Sequence, residues 1–322
     1  MEKRSTHAKN KKMIRIQTIE IEDYFGIGRF SWTLDPFVNI LGGKNGSGKS
    51  TLFNFCHDLL SQEEVEDAKA SLFSNVFRKA TIRFSNGWTL TWPSADSEAA
   101  SVLGSVPYVT HKISIIRDET GEAKPFADLK SQLNVQIIKS FEQYPADAVP
   151  YLQRTKSAEF DSETMLDIKI EDQINKRNSL FSQSVGEITG SSTDAGQALN
   201  EYLLRHKRIF LSLSHFLQGY DGPIDGQFVF SKNGETFGYQ RLSMGEKQIL
   251  LLLLMVSNTQ EAPCIFLMDE PDLSMHIDWK EILVSELHNL NPNMQIILST
   301  HAPSVITGWH DKVKEVSQLI EA

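Results

Sequence analysis

The chain has 322 residues, 40% hydrophobic and 23% charged, an ordinary globular composition long enough for one large domain or two small ones. A net charge of −9 and a pI near 5.5 exclude a surface that is basic throughout, although a local basic groove fits within that balance. Two cysteines, Cys56 and Cys264, exclude a disulfide framework and a four-cysteine zinc site, and read as buried, reduced thiols of a cytoplasmic protein.

Residues 1–12 form a basic tail carrying Lys3, Arg4, Lys9, Lys11 and Lys12, with no apolar run after it of the kind a signal peptide has. Met13 to Ile21 alternates apolar and polar residues as a half-buried strand does. Phe30 to Leu34 and Phe37 to Leu41 are two more strands, and the second of them runs into a glycine-rich turn followed by a helix over Ser50 to Leu60. Lys79 to Phe84 and Trp88 to Trp92 flank Ser85-Asn86-Gly87, a hairpin signal. A further strand is expected within Pro107 to Ile116.

From Ala123 to Gln218 polar residues dominate. Helical spacing appears over Phe126 to Tyr144 and Leu199 to Leu217, and Ser182 to Gly196 reads as a loop. Sheet signals return at Gly226 to Phe230, with a tight turn at Asn233-Gly234. After it come a helix over Gly245 to Val256, a strand over Cys264 to Met268, an amphipathic helix over Asp278 to Leu290 and a strand over Met294 to Ser299. The longest apolar run, Ile249 to Val256, is far below the ~20 residues that span a bilayer, so no membrane association is expected and the run reads as a helix buried on all sides. Alternating strands and helices predict an α/β fold with a mainly parallel core sheet. The expected organisation is a core of residues 13–118 and 226–322, a helical insert over 119–225 and the basic tail.

Two segments carry recognisable chemistry. Gly43-Lys44-Asn45-Gly46-Ser47-Gly48-Lys49-Ser50 fits the phosphate-binding pattern G-x-x-x-x-G-K-[ST], placed between a strand and a helix as that pattern requires. Its glycines let the backbone curl around phosphates, and the N–H groups opening the helix, with Thr51 in its first turn, point at the anion. Lys49 supplies a positive charge to the β- and γ-phosphates of ATP, and the Ser50 hydroxyl is suited to Mg²⁺. The strand Ile265-Phe266-Leu267-Met268 ends in Asp269 and Glu270. Asp269 is expected to hold Mg²⁺, and Glu270 to orient and polarise the attacking water as a general base.

Leu242-Ser243-Met244-Gly245-Glu246 can be an ordinary helix N-cap, with Glu246 three residues after Ser243. Together with the two segments above it also resembles the signature motif of ABC ATPases. The order continues with Pro271-Asp272-Leu273-Ser274-Met275-His276, similar to the D-loop, and Ser299-Thr300-His301, similar to the switch-histidine segment. The resemblance covers residues 13–118 and 226–322. It implies an ABC-type P-loop fold with an antiparallel β subdomain, and a homodimer closing on two ATP molecules. Ser243, Gly245 and Glu246 of one subunit would then meet the γ-phosphate held by the other, Asp272 would lie at the nucleotide, and His301 would sense the γ-phosphate.

The run Leu242 to Leu250 (LSMGEKQIL) and Ser299 to Pro303 (STHAP) resemble the RecF-like and overcoming-lysogenisation-type ATPases rather than transporters. Two departures stand out. Phe25 occupies the place where that group usually has an arginine, and no glutamine occurs between Gln62 and Gln132, where the Q-loop glutamine is expected. A residue near Val109 to Ser114 would have to replace it, and hydrolysis is expected to be slow. No Cys-x-x-Cys and no long heptad run is present, so a zinc-hook or full SMC architecture does not fit, and an appended Toprim nuclease domain after His301 is not expected. The resemblance implies an ATPase switch in prokaryotic DNA repair or anti-phage defence, acting on an effector in trans, a nuclease or toxin, with DNA a candidate partner. The alternatives are a stable ATP-bound scaffold with little turnover and, less favoured, the nucleotide-binding subunit of a transporter.

Overall fold

In the computed structural model the described residues are 13–61, 76–92, 100–103, 106–109, 114–117, 120–138, 162–191, 194–220 and 228–321. The chain opens with β1 (Ile16–Glu22), β2 (Arg29–Thr33) and β3 (Val38–Gly42), then α1 (Lys49–Ser61). Next come the hairpin of β4 (Lys79–Phe84) and β5 (Trp88–Trp92), the pair β6 (Ala100–Leu103) and β7 (Val106–Val109), β8 (Ser114–Arg117) and β9 (Ala123–Lys124). A short helix α2 (Phe126–Lys130) leads to β10 (Val135–Ile138). Two long helices follow, α3 (Ser162–Ser191) and α4 (Ala195–Phe216), and then the hairpin of β11 (Val229–Lys232) and β12 (Glu235–Gly238). The C-terminal part holds α5 (Met244–Ser257), β13 (Cys264–Asp269), α6 (Ile277–Leu290), β14 (Met294–Ser299), β15 (Val313–Glu315) and β16 (Ile320–Glu321).

These strands make two main sheets. One is parallel, in the order β10-β13-β14-β3-β15; the other is antiparallel, in the order β16-β2-β1-β4-β5-β8-β9. The three inner strands β3, β13 and β14 are buried along their length, which explains their mostly apolar sequences. Period-2 alternation sorts their side chains. Ile265, Leu267, Ile297 and Leu41 face α1 and the antiparallel sheet, in a core with Phe55, Leu59, Trp32, Phe84 and Trp92. Phe266, Met268, Ile296 and Ile40 face the opposite core, shared with α3, α4, α5 and α6. Gln295 pins the two sheets together: its Oε1 accepts from the Ile16 N–H (2.8 Å), and its Nε2 donates to the carbonyls of Ile16 (2.8 Å) and Asp35 (2.9 Å). Phe266 is fully enclosed, so Phe266→Ala is expected to cost about 3–5 kcal/mol, read from the midpoint shift in a denaturant titration.

Two expectations are corrected. Phe126 to Tyr144 is not one helix: α2 ends after five residues and β10 joins β13 at the edge of the parallel sheet. Within 119–225, β9 and β10 join the two sheets and α2 packs beside them, and the long helices among the described residues are Ser162–Ser191 and Ala195–Phe216. Ser182 to Gly196 is not a loop, because α3 continues through Gly186 and Gly190 to Ser191. Each glycine costs only about 1 kcal/mol in a helix interior, and the packing of the N-terminal part of α3 around Met165, Leu166 and Ile170 outweighs that. The α5 helix is buried along its length, as its composition indicates. Both cysteines are buried and free. No described helix is long and apolar enough to cross a membrane.

Candidate functional site

All strands of the parallel sheet point the same way, so the loops leaving β3, β13 and β14 converge at one edge, where α/β sheets bind ligands. The phosphate-binding turn leaves β3. Gly43, Gly46 and Gly48 have φ of 151°, 77° and 89°, a region open to glycine but not to most side chains. Gly48 also faces a wedge from the β1–β2 turn: a Cβ there would lie 2.4 Å from Phe25 Cε2 and 2.7 Å from Tyr24 Oη. Tyr24 donates from its hydroxyl to the Ser47 carbonyl (3.1 Å). Phe25 thus buttresses the turn where an arginine is usual. Gly48→Ala combines a positive φ with this overlap, and ATP affinity is expected to fall about tenfold, measured by calorimetric titration.

Lys44, Asn45 and Gly46 are exposed at the tip of the turn, Ser47, Ser50 and Thr51 are half-buried, and Lys49 is buried. The Lys49 Nζ donates to the carbonyls of Gly43 (3.0 Å) and Lys44 (3.3 Å) and lies 2.8 Å from His301 Nε2. Burial lowers the Lys49 pKa from the ordinary lysine value, and the nearby charges of Glu270, Asp269 and Glu315 oppose that shift. The same His301 nitrogen is 2.8 Å from Glu270 Oε1. A single imidazole nitrogen can accept from Lys49 or donate to Glu270, not both at once. Lysine, histidine and glutamate therefore meet at one point.

Glu270 has φ 48°, rare for a residue with a side chain and typical of strained functional positions. It is fixed there by its N–H, which donates to both the Ser299 carbonyl and the Ser299 hydroxyl (3.1 Å each). Ser299 in turn donates to Asp269 Oδ1 (2.6 Å). The other Asp269 oxygen, Oδ2, is buried with no hydrogen-bond partner in the chain. Asp272 is placed differently from the rest. It is buried, with Oδ1 accepting from Thr300 (2.9 Å) and Oδ2 from Lys280 (3.0 Å), so both oxygens are engaged within the chain.

The Ser243–Glu246 segment forms a complete capping box. The Ser243 hydroxyl accepts from the Glu246 N–H, and Glu246 accepts from the Ser243 N–H (2.7 Å) and hydroxyl (2.8 Å). The Tyr220 hydroxyl adds a bond to Glu246 (2.7 Å), so this carboxylate shapes the helix tip. Gly245 is required by close approach, since a Cβ would sit 2.5 Å from the Ser274 carbonyl of the segment after β13. Ser243 is exposed. Among the described residues no hydrogen bond joins Ser243 or Gly245 to the turn at 43–51. Next in the helix, the fully buried Lys247 pairs with Glu163 (2.8 Å) and Asp167 (2.9 Å), fastening α3 to α5.

A family model described as "AAA domain, putative AbiEii toxin, Type IV TA system" matches residues 38–307. The chain belongs to this AAA-domain family. It is an ATPase of the AAA-domain type. The "Retron Vc95 probable ATPase" of Vibrio cholerae serotype O1 biovar El Tor is 24% identical, over 96% of this chain and 75% of that protein. The "Retron Ec83 probable ATPase" of Escherichia coli is 31% identical over 94 residues, 26% of this chain and 17% of that protein. Among solved structures, the Smc head domain of Pyrococcus furiosus, bound to the C-terminal domain of ScpA, superposes with a TM-score of 0.51 at 13% identity and 91% coverage of both chains, which shows a shared fold.

For this AAA-domain ATPase the missing glutamine has to be sought elsewhere. β8 lies in the antiparallel sheet, whereas the strand beside β13 is β10, whose C-terminal end reaches the same edge as Asp269. Of the stretch Val109 to Ser114, where a replacement was expected, residues 110–113 lie outside the described residues, as does Gln143, five positions after Ile138. Gln132 and Gln136 donate to Asp128 and Asn134 respectively. Sequence reasoning also missed Ser299, Thr300 and Lys280, which hold the acidic residues in place. The Ser299-Thr300 pair was the available signal, visible beside His301 but read only as its flank.

Proposed function

We propose that two copies of this ATPase close face to face on two ATP molecules with Mg²⁺, and that hydrolysis reopens them. In this reading residues 43–51 of one copy hold the phosphates, and the Ser243–Gly245 helix tip of the other meets the γ-phosphate. The main support is that tip itself. It is capped, exposed and pressed against Ser274, yet has no hydrogen bond to the phosphate turn of its own chain. A helix N-terminus is suited to an anion, and a second copy would bring its bound γ-phosphate to it. Ile277, 58% exposed beside the same segment, adds apolar surface to this face.

The residues present fit Mg²⁺. Asp269 Oδ2 is a buried carboxylate oxygen without a partner, and Ser50 opens α1 below the phosphate turn. No group of three or more acidic, histidine or cysteine ligands occurs among the described residues, as suits an ion held by one or two protein oxygens and by phosphates. The ion would neutralise phosphate charge. Glu270 then accepts the proton of the attacking water, and His301 releases Lys49 and Glu270 when a γ-phosphate takes their place beside it. Asp272 acts by positioning Thr300 and Lys280 rather than by touching nucleotide.

The role proposed is a switch in prokaryotic DNA repair or anti-phage defence that acts on an effector, a nuclease or toxin, in trans, with DNA a candidate ligand. The retron names of two relatives and the toxin–antitoxin description of the family support it. The Lys247 clasp gives a route by which movement of α5 reaches the long helices. The alternative reading, a stable ATP-bound scaffold with little turnover, is separated from this one by a steady-state ATPase assay. Steady-state turnover per chain is expected to rise with chain concentration and then level off. Turnover independent of concentration at high dilution would mean that one chain suffices.

A further inference from the structure

A second pocket lies away from the phosphate turn, between the long helices α3 and α4 and the C-terminal end of α5. Its volume is about 260 Å³, and its wall includes Arg177, Ser184, Tyr202, His206 and Asn258. Two of these carry unmet hydrogen-bonding capacity. Arg177 is 4% exposed. It donates to the Ser257 hydroxyl (2.7 Å) and the His206 carbonyl, and its face lies over the Phe210 ring, but its Nε has no partner. No carboxylate pairs with it among the described residues. Asn258, 6% exposed, donates twice to Gln173 while its Oδ1 is left without a donor.

A buried arginine without a counter-ion is costly unless an anion reaches it. Burial pulls the Arg177 pKa down to about 10. Burial and Arg177 together push His206 down to about 4, so the imidazole is neutral near pH 7 and does not share the cationic role. Arg205 and Arg208, also on the wall, are balanced by Glu261, with which both pair, and by Glu187, which leaves Arg177 as the cation in excess. The opposite needs of Arg177 and Asn258 specify a ligand with an anion at one place and an N–H donor at another. Tyr202 and His206 lie against each other, ring centroids 5.9 Å apart and tilted by 32°, and both lean on Phe181, so together they form one aromatic wall. The volume is at the small end of the ~300–1,000 Å³ usual for ligand pockets, which suits one ring and one phosphate and is too small for a dinucleotide.

We propose that this pocket is a second ligand site, distinct from the ATP site, that binds a nucleoside monophosphate: the phosphate on Arg177, the base against the Tyr202–His206 ring pair, and a base N–H on Asn258. Because its wall joins α3 and α4 to the end of α5, an occupant ties the long helices to the helix whose other end carries Ser243.

The test is calorimetric titration of the full chain with AMP, GMP, CMP and UMP in turn, with the ATP site first saturated by ADP and Mg²⁺. At least one probe is expected to bind with a Kd below ~1 mM. Arg177→Met is expected to weaken that binding about ten- to a hundredfold while ADP binding is retained. Should Arg177→Met fail to bind ADP and so prove misfolded, Ser184→Trp decides, since it fills the pocket from a half-buried wall position and is expected to abolish monophosphate binding alone. Failure of all four probes, with the cavity holding water only, overturns the proposal, as does binding that neither variant changes. ATP-driven dimerisation is a separate readout, so failure here leaves the proposed function standing.

Discussion

Glu270→Gln is expected to keep ATP affinity within about twofold and to lower turnover by about 10²–10⁴-fold, the usual loss when a positioned general base is removed. The substitution preserves shape but not basicity. The backbone at φ 48° is held by N–H bonds to Ser299 rather than by the carboxylate, so the side chain stays in place. Only its capacity to accept a proton disappears. With closure intact and reopening blocked, the variant is expected to accumulate as an ATP-bound dimer in sedimentation velocity runs. A variant that turns over normally would remove Glu270 from its role, and one that loses ATP binding would show a structural part instead.

Ser243→Arg should separate binding from closure. Ser243 is exposed and far from its own phosphate turn in hydrogen-bonding terms, so ATP affinity is expected to remain within about twofold. The arginine places a long side chain where the partner's γ-phosphate would arrive, and ATP-dependent dimerisation is expected to vanish, with turnover down at least ~10²-fold. Loss of the cap costs about 1 kcal/mol of stability. Ser243→Ala, which removes the cap but adds no bulk, is therefore the control: its melting temperature should fall similarly while dimers still form. Equal loss of dimerisation in both variants would assign Ser243 a folding role alone.

The elements that could be read from sequence are those whose local signals and tertiary setting agree. The turn at 43–50 sits between a short apolar strand and a helix, and Cys264–Met268 is apolar throughout because the sheet is covered on both faces. Asn86-Gly87 and Asn233-Gly234 mark their hairpins by backbone preference alone. What was not legible depends on distant partners. Val135–Ile138 reads as part of a helix until β13 is beside it. The C-terminal turns of α3 contain two glycines and many polar residues, and nothing local says they remain helical. In the site, the acidic pair and His301 were visible as types, but their geometry is set by the hydroxyls of Ser299 and Thr300 and by Lys280. Hydroxyls acquire meaning only once strands β13 and β14 lie side by side. Phe25 shows the same limit: sequence marked it as a missing arginine, whereas the structure makes it a wall behind Gly48.

The most direct test of a site shared between chains is a mixture of two defective ones. Tagged Lys49→Ala cannot hold the phosphates and untagged Ser243→Arg cannot approach them, so neither should dimerise alone. Mixed, they can build one complete site, from Lys49 of one chain and Ser243 of the other. ATP and Mg²⁺ should then make the tagged chain capture the untagged one, and a nucleotide-dependent dimer should appear only in the mixture. No capture in the mixture, while wild-type chains capture each other, would contradict the shared site.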